Sequence, residues 1–415
     1  MIWQQAVSIV NARVVVAGVS GGVSGTDGGG VADSVRFTTR ILGVGERPRP
    51  GDVVLDAEGS WVLPGLVNAH DHLELNHYGR LKFRDRYCNA SEWIEDMRPR
   101  LAADPGIQVA RSRPLADRLF IGALKNALSG VTTVAHHNPF YRELRRDMPI
   151  HVLRKYGWAH SFFLAQRPAG ASGETGGDIQ ERFRSTPAGV PFFVHLGEGV
   201  DADAWAELPR LEAIGCLQST TVLVHGIAID RDGWRRVARA GAGVVWCPAS
   251  NEFLFGQTID SARRAGAWSM PKTAIGTDSR LTGSADLLDE LRAARRASPA
   301  SSAELLAMVT VQAADLLRQP RAGRILTGGP ADLVVIPPLA DAPGDALLGT
   351  MRHQVRMVVV GGRPLVADEP LAPVFGTRRA TARVAYVDSH RKRMDPALAA
   401  RIAACPIAEP GVIVE

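Results

Sequence analysis

Cysteine is scarce in this chain of 415 residues, which carries only four. They stand far apart, and no two of them form a Cys-x-x-Cys pair: Cys88, Cys216, Cys247 and Cys405. A disulfide-stabilised secreted scaffold and a cysteine-rich zinc site both need closely spaced cysteines. The spacing therefore argues against both classes and favours a reducing compartment.

The chain also has little net charge and no long uninterrupted apolar run. Its formal charge is +5 without a block of five or six like charges, which favours a weakly basic surface over a nucleic-acid groove. Polar residues break every apolar stretch before the roughly 20 residues that span a bilayer, and the N-terminus has no basic leader or cleavage site. We expect a soluble cytoplasmic enzyme that acts as a homo-oligomer on a small molecule, with neither nucleic acid nor membrane as a partner.

Two different patterns of secondary structure divide the chain. Both ends are rich in short Val and Ile runs, whereas the middle alternates apolar strands with amphipathic helices, as α/β proteins do. A Gly/Ser-rich loop is predicted over residues 18–30. A length of 415 residues suffices for one large domain and a small one. We predict a small β-sandwich domain from residues 1–60 and 321–385, an inserted barrel domain over 61–320, and a C-terminal extension over 386–415.

The middle part predicts a (β/α)8 barrel of the TIM type. Buried strands over residues 61–68 and 131–135 alternate with amphipathic helices, which are expected over 115–128, 261–267 and 303–318 among others. This many βα units close into a barrel more readily than they form an open sheet. Seven barrel strands are clear, and the fourth is either hidden in the Gly-rich region between Phe163 and Pro191 or truncated. We therefore expect the barrel to be distorted at its fourth strand.

Two histidines, His70 and His72, close the first strand of this middle part. Side chains at positions i and i+2 of a strand share one face, and both imidazoles therefore point to one place at the strand's carboxyl end, where TIM-barrel active sites lie. Asp71 between them faces away and is expected to be structural. Two imidazoles on one side suit zinc or iron. The alternative is a pair that caps the strand through hydrogen bonds.

Further strands end in side chains that can bind a metal. His195, His225 and Asp278 each end a short apolar run, and Glu198 follows His195 by three residues. Buried imidazoles and carboxylates are costly unless they are paired or metal-bound. With His70 and His72, these three strand-end residues make five such groups, which argues for a metal centre rather than for packing.

The motif set resembles the amidohydrolase superfamily. Residues 64–72, with the sequence Pro-Gly-Leu-Val-Asn-Ala-His-Asp-His, are similar to the opening signature of that family. Later motifs follow in the family's order: Gly130-Val131-Thr132-Thr133-Val134, His195-Leu196-Gly197-Glu198, Val224-His225-Gly226, Cys247-Pro248-Ala249-Ser250-Asn251, Gly276-Thr277-Asp278-Ser279 and Ala331-Asp332-Leu333-Val334-Val335. The resemblance covers the chain to about residue 365 and points to the branch of triazine hydrolases, cytosine and guanine deaminases and S-adenosylhomocysteine deaminase.

This resemblance implies a role for each residue of the set. One divalent metal, zinc or iron, is bound by the residues that match the branch's ligands: His70, His72, His195 and Asp278. Glu198 matches the branch's proton shuttle. His225 matches the histidine that holds the attacking water or the developing oxyanion.

Two features depart from the family. Two-metal members carry a bridging lysine in the region of residues 163–191, and this chain has none there, which favours a single metal. The segment over residues 75–80 matches no pattern tied to a substrate. Five residues are candidates for the pocket lining, although each alone is more typical of a structural position: His77, Trp93, His136, His137 and His160.

The implied reaction is hydrolysis of a C–N bond other than a peptide bond. The metal lowers the pKa of its water towards about 7, and Asp278 and His225 accept or orient the proton that the water loses. Metal-bound hydroxide then attacks an sp2 carbon of the substrate. Glu198 protonates the ring nitrogen or leaving group. We expect a hydrolytic deaminase of an amino-substituted purine, pyrimidine or triazine-like ring. Hydrolysis of another C–N, cyclic amide or C–Cl bond at the same site is the alternative. A non-catalytic scaffold is a remote one, because it should have lost the ligands that this chain keeps.

Overall fold

The computed structural model describes residues 5–16, 30–165, 179–259, 271–378 and 381–415. The loop predicted over residues 18–30 lies outside these ranges except for Gly30. The Gly-rich segment 169–177 and the helix predicted over 261–267 lie outside them entirely. No helix in the described ranges combines the length and the apolar character that crossing a membrane requires.

The N-terminal part is built from short strands rich in β-branched residues, whose side chains pack well on a pleated surface. Their bounds are β1 (Val7–Val10), β2 (Arg13–Val16), β3 (Gly30–Ala32), β4 (Val35–Phe37), β5 (Ile41–Val44), β6 (Val53–Asp56) and β7 (Trp61–Pro64). Four of them form a sheet in the order β5-β4-β1-β6, in which β1 runs parallel to β6 and antiparallel to β4.

Parallel strands dominate the middle of the chain. They are β8 (Leu66–Asp71), β9 (Val131–His136), β10 (His151–Val152), β11 (Gly157–Ala159), β12 (Phe192–Leu196), β13 (Thr221–His225), β14 (Gly243–Trp246) and β15 (Lys272–Ile275). Most are buried along their whole length, as parallel strands covered on both faces are. One sheet pairs β10-β9-β8 and another pairs β11 to β15 in sequence order.

The ends of these two sheets meet at a seam between β8 and the residues after β15. The His72 amide donates to the Asp278 carbonyl at 2.7 Å, and the Asp278 amide donates to the His70 carbonyl at 3.1 Å. A Cβ on Gly276 would lie 2.7 Å from the His70 Cβ, and only glycine therefore allows this approach. The parallel strands are thus neighbours in the order β10-β9-β8-β15-β14-β13-β12-β11, with the seam between β8 and β15. Within the described ranges, no backbone hydrogen bonds of a β-ladder join the two end strands, β10 and β11.

Counted along the chain, the fourth of these parallel strands is β11, which is only three residues long. It lies before the Gly-rich region and pairs directly with β12. Of the two predictions for the fourth strand, the truncated strand is therefore the one that the structure contains.

Helices separate most of the parallel strands. Their bounds are α1 (Ala90–Ala103), α2 (Pro105–Ser112), α3 (Leu115–Leu128), α4 (Phe162–Ala165), α5 (Ile179–Ser185), α6 (Ala202–Ala213), α7 (Arg231–Ala240), α8 (Pro248–Phe255), α9 (Leu287–Ala297), α10 (Ser302–Met308) and α11 (Val311–Leu316). Short 3-10 turns cover Leu73–Leu75 and Arg142–Arg145. The helix predicted over residues 115–128 is confirmed. The single helix predicted over 303–318 is wrong, because the backbone of Thr310 leaves the helical region and divides it into α10 and α11.

The C-terminal part returns to the sheet that the N-terminus begins. It contains β16 (Leu333–Ile336), α12 (Pro343–Gly349), β17 (Met357–Val360), β18 (Arg363–Ala367), β19 (Arg383–Val387), β20 (His390–Met394), α13 (Pro396–Ala403) and β21 (Val412–Val414), with 3-10 turns at Arg352–Gln354 and Glu369–Arg378. The sheet order is β21-β19-β20-β18-β17-β16-β7-β2-β3. Strands from both chain ends therefore share one sheet, joined where β16 pairs antiparallel with β7.

Candidate metal centre and active site

The carboxyl ends of three parallel strands bring four potential metal ligands together. His70 lies in β8, His72 follows it, His195 lies in β12, and Asp278 follows β15. Their ligand atoms all lie within 4.8 Å of one another. Asp278 Oδ1 is 3.5 Å from both His70 Nε2 and His72 Nε2. The structure therefore assembles the set expected from the sequence at one point.

The protonation states of these side chains fit a cation. Burial lowers the pKa of His70, lowers that of His72 to about 4, and lowers that of His195 well below its usual value. The imidazoles are therefore neutral at pH 7, with a lone pair to donate. His70 Nε2 is buried without a hydrogen-bond partner. Three neutral imidazoles and one carboxylate form a ligand set that suits a divalent transition metal.

Asp278 is fixed by two hydroxyl groups that leave one oxygen for the metal. Ser250 Oγ and Thr282 Oγ1 donate to Asp278 Oδ2 at 2.7 and 2.8 Å, whereas Oδ1 faces the histidines. Burial opposes the charge, but the neighbouring histidines hold the pKa of Asp278 well below its usual range. Its backbone has a φ of +52°, a conformation that costs energy and is concentrated at functional sites.

Glu198 and His225 form a second pair beside the metal ligands. His225 Nε2 lies 3.5 Å from Glu198 Oε1, and its Nδ1 lies 2.8 Å from Asn251 Oδ1. Burial raises the pKa of Glu198 to about 7, and Asp278 adds to this against the opposing effect of His225. His225 also has a strained φ, of +76°. The pair thus contains a carboxyl group that can give or take a proton near neutral pH.

The loop that carries Glu198 is held from both sides. The amide of Gly197, whose φ is +62°, donates to Glu207 Oε2 at 2.6 Å. The Glu198 carbonyl accepts from the amide of Ala90 at the start of α1. These bonds fix the direction in which the Glu198 side chain leaves β12.

A small cavity opens onto this group of residues, with a volume of about 170 Å³. Its apolar wall is formed by Leu75, Ala90, Trp93, Ile94, Leu254 and Leu281. Its polar wall includes His72, His195, Glu198, His225 and Asp278, and the described lining contains neither lysine nor arginine. Of the five candidate lining residues, Trp93 and His160 lie in this lining, whereas His77, His136 and His137 are not part of it.

Asp71 points away from the metal ligands into a buried polar network. Lys125 Nζ of α3 lies 2.9 Å from Asp71 Oδ2, and both side chains are fully buried. Asn76 donates to Asp71 Oδ1 at 2.7 Å, and Asn126 donates to Oδ2 at 2.7 Å. Thr277, beside Asp278, donates to the same carboxylate. The network therefore joins α3, β8 and the loop after β15 directly behind the site.

Replacing Lys125 with methionine should destabilise the protein strongly, because Asp71 would keep a buried charge without its cation. Breaking a buried ion pair from one side costs about 3–5 kcal/mol. Urea unfolding of Lys125→Met measures the loss, and Lys155→Met at an exposed lysine is the matched control. A change within the control's range would mean that the hydrogen-bond network alone neutralises Asp71.

Several residues of the site were not predicted from the sequence. Ser250 and Asn251 stand within a motif that was recognised, and that motif was the available signal for their contact with Asp278 and His225. Lys125 interrupts an otherwise apolar run in α3, which could have marked it as a buried partner. Thr282 and Glu207 carry no sequence signal of their own.

Comparison with known proteins relates this chain to a family of enzymes. Residues 197–365 match the model of the amidohydrolase family. The chain is 26% identical over 388 residues to the 5-methylthioadenosine/S-adenosylhomocysteine deaminase of Natronomonas pharaonis, with 80% of this chain and 87% of that protein covered.

Solved structures show the same overall fold. The zinc complex of atrazine chlorohydrolase from Arthrobacter aurescens is 20% identical, with a TM-score of 0.67, over 89% of this chain and 99% of that one. A zinc-bound adenosine deaminase from Xanthomonas campestris is 19% identical, with a TM-score of 0.63, over 89% of this chain and 98% of that one. The similarity extends through nearly the full length of both structures.

Proposed function

We propose that this chain, which carries an amidohydrolase family domain over residues 197–365, is a hydrolase of that type and deaminates a small amino-substituted N-heterocycle. The observation that supports the proposal best is the position of Glu198. It is a buried carboxyl group with a pKa of about 7, and it lies beside His225 and faces the same cavity as the metal-ligand group. A ring nitrogen or an amine leaving group needs such an acid to receive a proton.

One divalent ion, zinc or iron, would be held by His70, His72, His195 and Asp278. The neutral imidazoles, the free Oδ1 of Asp278 and the unpartnered Nε2 of His70 support this assignment. When bound, the ion supplies Lewis-acid chemistry and lowers the pKa of a water molecule to about 7. The absence of lysine between residues 163 and 191 supports a single ion.

His225 is placed to orient the attacking water. Asn251 Oδ1 accepts the Nδ1 proton of His225, which leaves the Nε2 lone pair directed at Glu198 and the cavity. Asp278 has Oδ2 clamped by two hydroxyl groups, and its Oδ1 can accept a proton from the water. Glu198 then delivers a proton to the ring nitrogen or leaving group as the C–N bond breaks. These roles make Glu198, His225 and Asp278 the catalytic residues.

The cavity favours a neutral ring of small size. Its volume of about 170 Å³ is below the roughly 300–1,000 Å³ of sites that enclose drug-sized ligands. The described lining offers apolar side chains and no lysine or arginine to bind a carboxylate or phosphate. An amino-substituted pyrimidine, triazine or free purine base therefore suits the site better than a charged nucleoside derivative.

The architecture around the site is part of the same proposal. The continuous order of the parallel strands supports a closed (β/α)8 barrel over residues 61–320, in which β10 would approach β11. Pairing of strands from both chain ends supports a small β-sandwich domain, which the sequence bounds at residues 1–60 and 321–385. The nine-stranded sheet also contains β7, β20 and β21, and the domain therefore takes in residues 61–64 and strands of the C-terminal extension over 386–415. A cytoplasmic homo-oligomer that acts without nucleic acid completes the proposal, and the free thiols of the four cysteines are compatible with a reducing compartment.

The test is a screen for ammonia release by the metal-loaded protein. Amino-substituted pyrimidines, triazines and purines should yield ammonia, and the apo-protein should yield none. Parallel assays for chloride from chlorotriazines and for ring opening of cyclic amides report the alternative hydrolyses. Turnover in the chloride or ring-opening assay without any ammonia would mean that the chain catalyses that hydrolysis instead of deamination. No turnover in any of the three assays would contradict the proposed function.

A further inference from the structure

A second group of histidines lies beside the first metal-ligand set. His137 follows β9, His160 follows β11, and His195 lies in β12. Their ligand atoms also lie within 4.8 Å of one another. The rings of His137 and His195 are 4.3 Å apart at their centroids. His195 is thus common to both groups.

His137 has no evident structural reason for its position. Its side chain is buried, with 2% of the residue exposed, and neither ring nitrogen has a hydrogen-bond partner. Buried polar groups are almost always paired, because an unpaired one has lost its hydration without compensation. His160 and His195 line the cavity, and this group therefore borders it.

We propose that His137, His160 and His195 form a second, weaker site for a transition-metal ion, and that an ion bound there inhibits the enzyme. Three neutral imidazoles without a carboxylate select zinc, cobalt, nickel or copper over magnesium and calcium. The site is weaker than the first because it has three ligands and no anion. The ring of Trp158 contacts both His137 and His160, and the guanidinium of Arg182 lies over that ring. Its positive charge also weakens the binding of a cation.

Inhibition follows from the shared ligand. A neutral imidazole has one lone pair, and His195 therefore cannot serve two ions at once. An ion at the second site removes His195 from the first site and also lies at the wall of the substrate cavity. Activity should therefore rise with the first equivalent of zinc and fall when zinc is in excess.

The experiment is a zinc titration of the full chain, with bound zinc measured by equilibrium dialysis and turnover measured in parallel. The wild type should show one tight zinc, then weaker binding that tracks the loss of activity, whereas magnesium should do neither. His137→Phe retains a buried ring without nitrogen. It should keep the tightly bound zinc and the activity at low zinc. It should lose the weak zinc binding, and its inhibition should require a zinc concentration at least tenfold higher than that of the wild type.

The control variant is His353→Ala/His390→Ala, which removes a stacked pair of histidines on another part of the molecule. This variant should remain inhibited like the wild type. Equal inhibition of His137→Phe and wild type, or weak binding that disappears in the control variant instead, would overturn the proposal. If His137→Phe fails to fold, zinc-soaked crystals of the wild type decide by anomalous scattering. A peak among the three histidines supports the site and its absence at high zinc rejects it.

The inference deepens the proposed function, because it concerns inhibition of the same site. Its failure is still separable from the failure of that function. Zinc counting needs no substrate, and a negative ammonia screen therefore leaves the binding result intact.

Discussion

Replacement of His72 with alanine is expected to remove the bound metal and the activity together. His72 Nε2 lies 3.5 Å from Asp278 Oδ1 within the four-ligand group, and alanine supplies no ligand atom in its place. Loss of a mere outer-sphere partner costs about 10–100-fold in metal affinity or activity, and loss of a direct ligand should cost more. Elemental analysis after dialysis and turnover of the same sample measure both effects.

The control is His390→Ala, which removes an exposed histidine far along the chain. It should retain metal and turnover. A His72→Ala protein that is folded, carries a full complement of metal and turns over near the normal rate would show that His72 is not a ligand. Circular dichroism of both variants separates loss of metal from loss of fold.

Replacement of Glu198 with glutamine should leave the fold and the metal in place but lower kcat by roughly 100- to 10,000-fold, the usual contribution of a positioned acid–base group. Glutamine matches glutamate in size but cannot exchange a proton. The pKa of Glu198 is raised to about 7, and the wild type therefore loses the acid form as the pH rises through that value. Its kcat should fall on the alkaline side, and the residual activity of Glu198→Gln should lack that limb.

The matched control is Glu252→Gln at an exposed position of α8. It should change neither kcat nor the pH profile. If Glu198→Gln instead kept its kcat and lost about 1–2 kcal/mol of stability, the carboxyl group would be a structural hydrogen-bond acceptor. The acid–base role would then belong to another residue.

The position of the candidate site was predictable because it follows from the geometry of strands. His70 and His72 share a face by the two-residue period, and parallel strands place His195, His225 and Asp278 at one edge. These rules act along the chain and need no knowledge of packing. The helix over residues 115–128 was predictable for the same reason, since its apolar positions repeat locally.

The features that the sequence did not predict depend on contacts between segments that are separated along the chain. At the break, the carbonyl of Thr310 lies against Gly323, a contact that the helical period of residues 303–318 does not reveal. The clamp on Asp278 needs Ser250 of α8 to meet Thr282 and Asp278 in the loop after β15. Lys125 and Asp71 become partners only when α3 packs behind β8. A motif or an interrupted apolar run can mark Ser250 or Lys125, but neither identifies the distant residue that it contacts.

The seam between β8 and the loop after β15 also determines when the site can exist during synthesis. The hydrogen bond from Asn68 to Thr277 joins residues 209 positions apart, and Asp278 follows immediately. At the usual elongation rate of about 5–20 residues per second, the first histidines wait roughly 10–40 s on the ribosome for their last partner. During that interval the edge of β8 that meets Asp278 at the seam has no partner. A group of ligands that includes Asp278 is therefore completed late in synthesis, and a chain truncated before Asp278 lacks its fourth member.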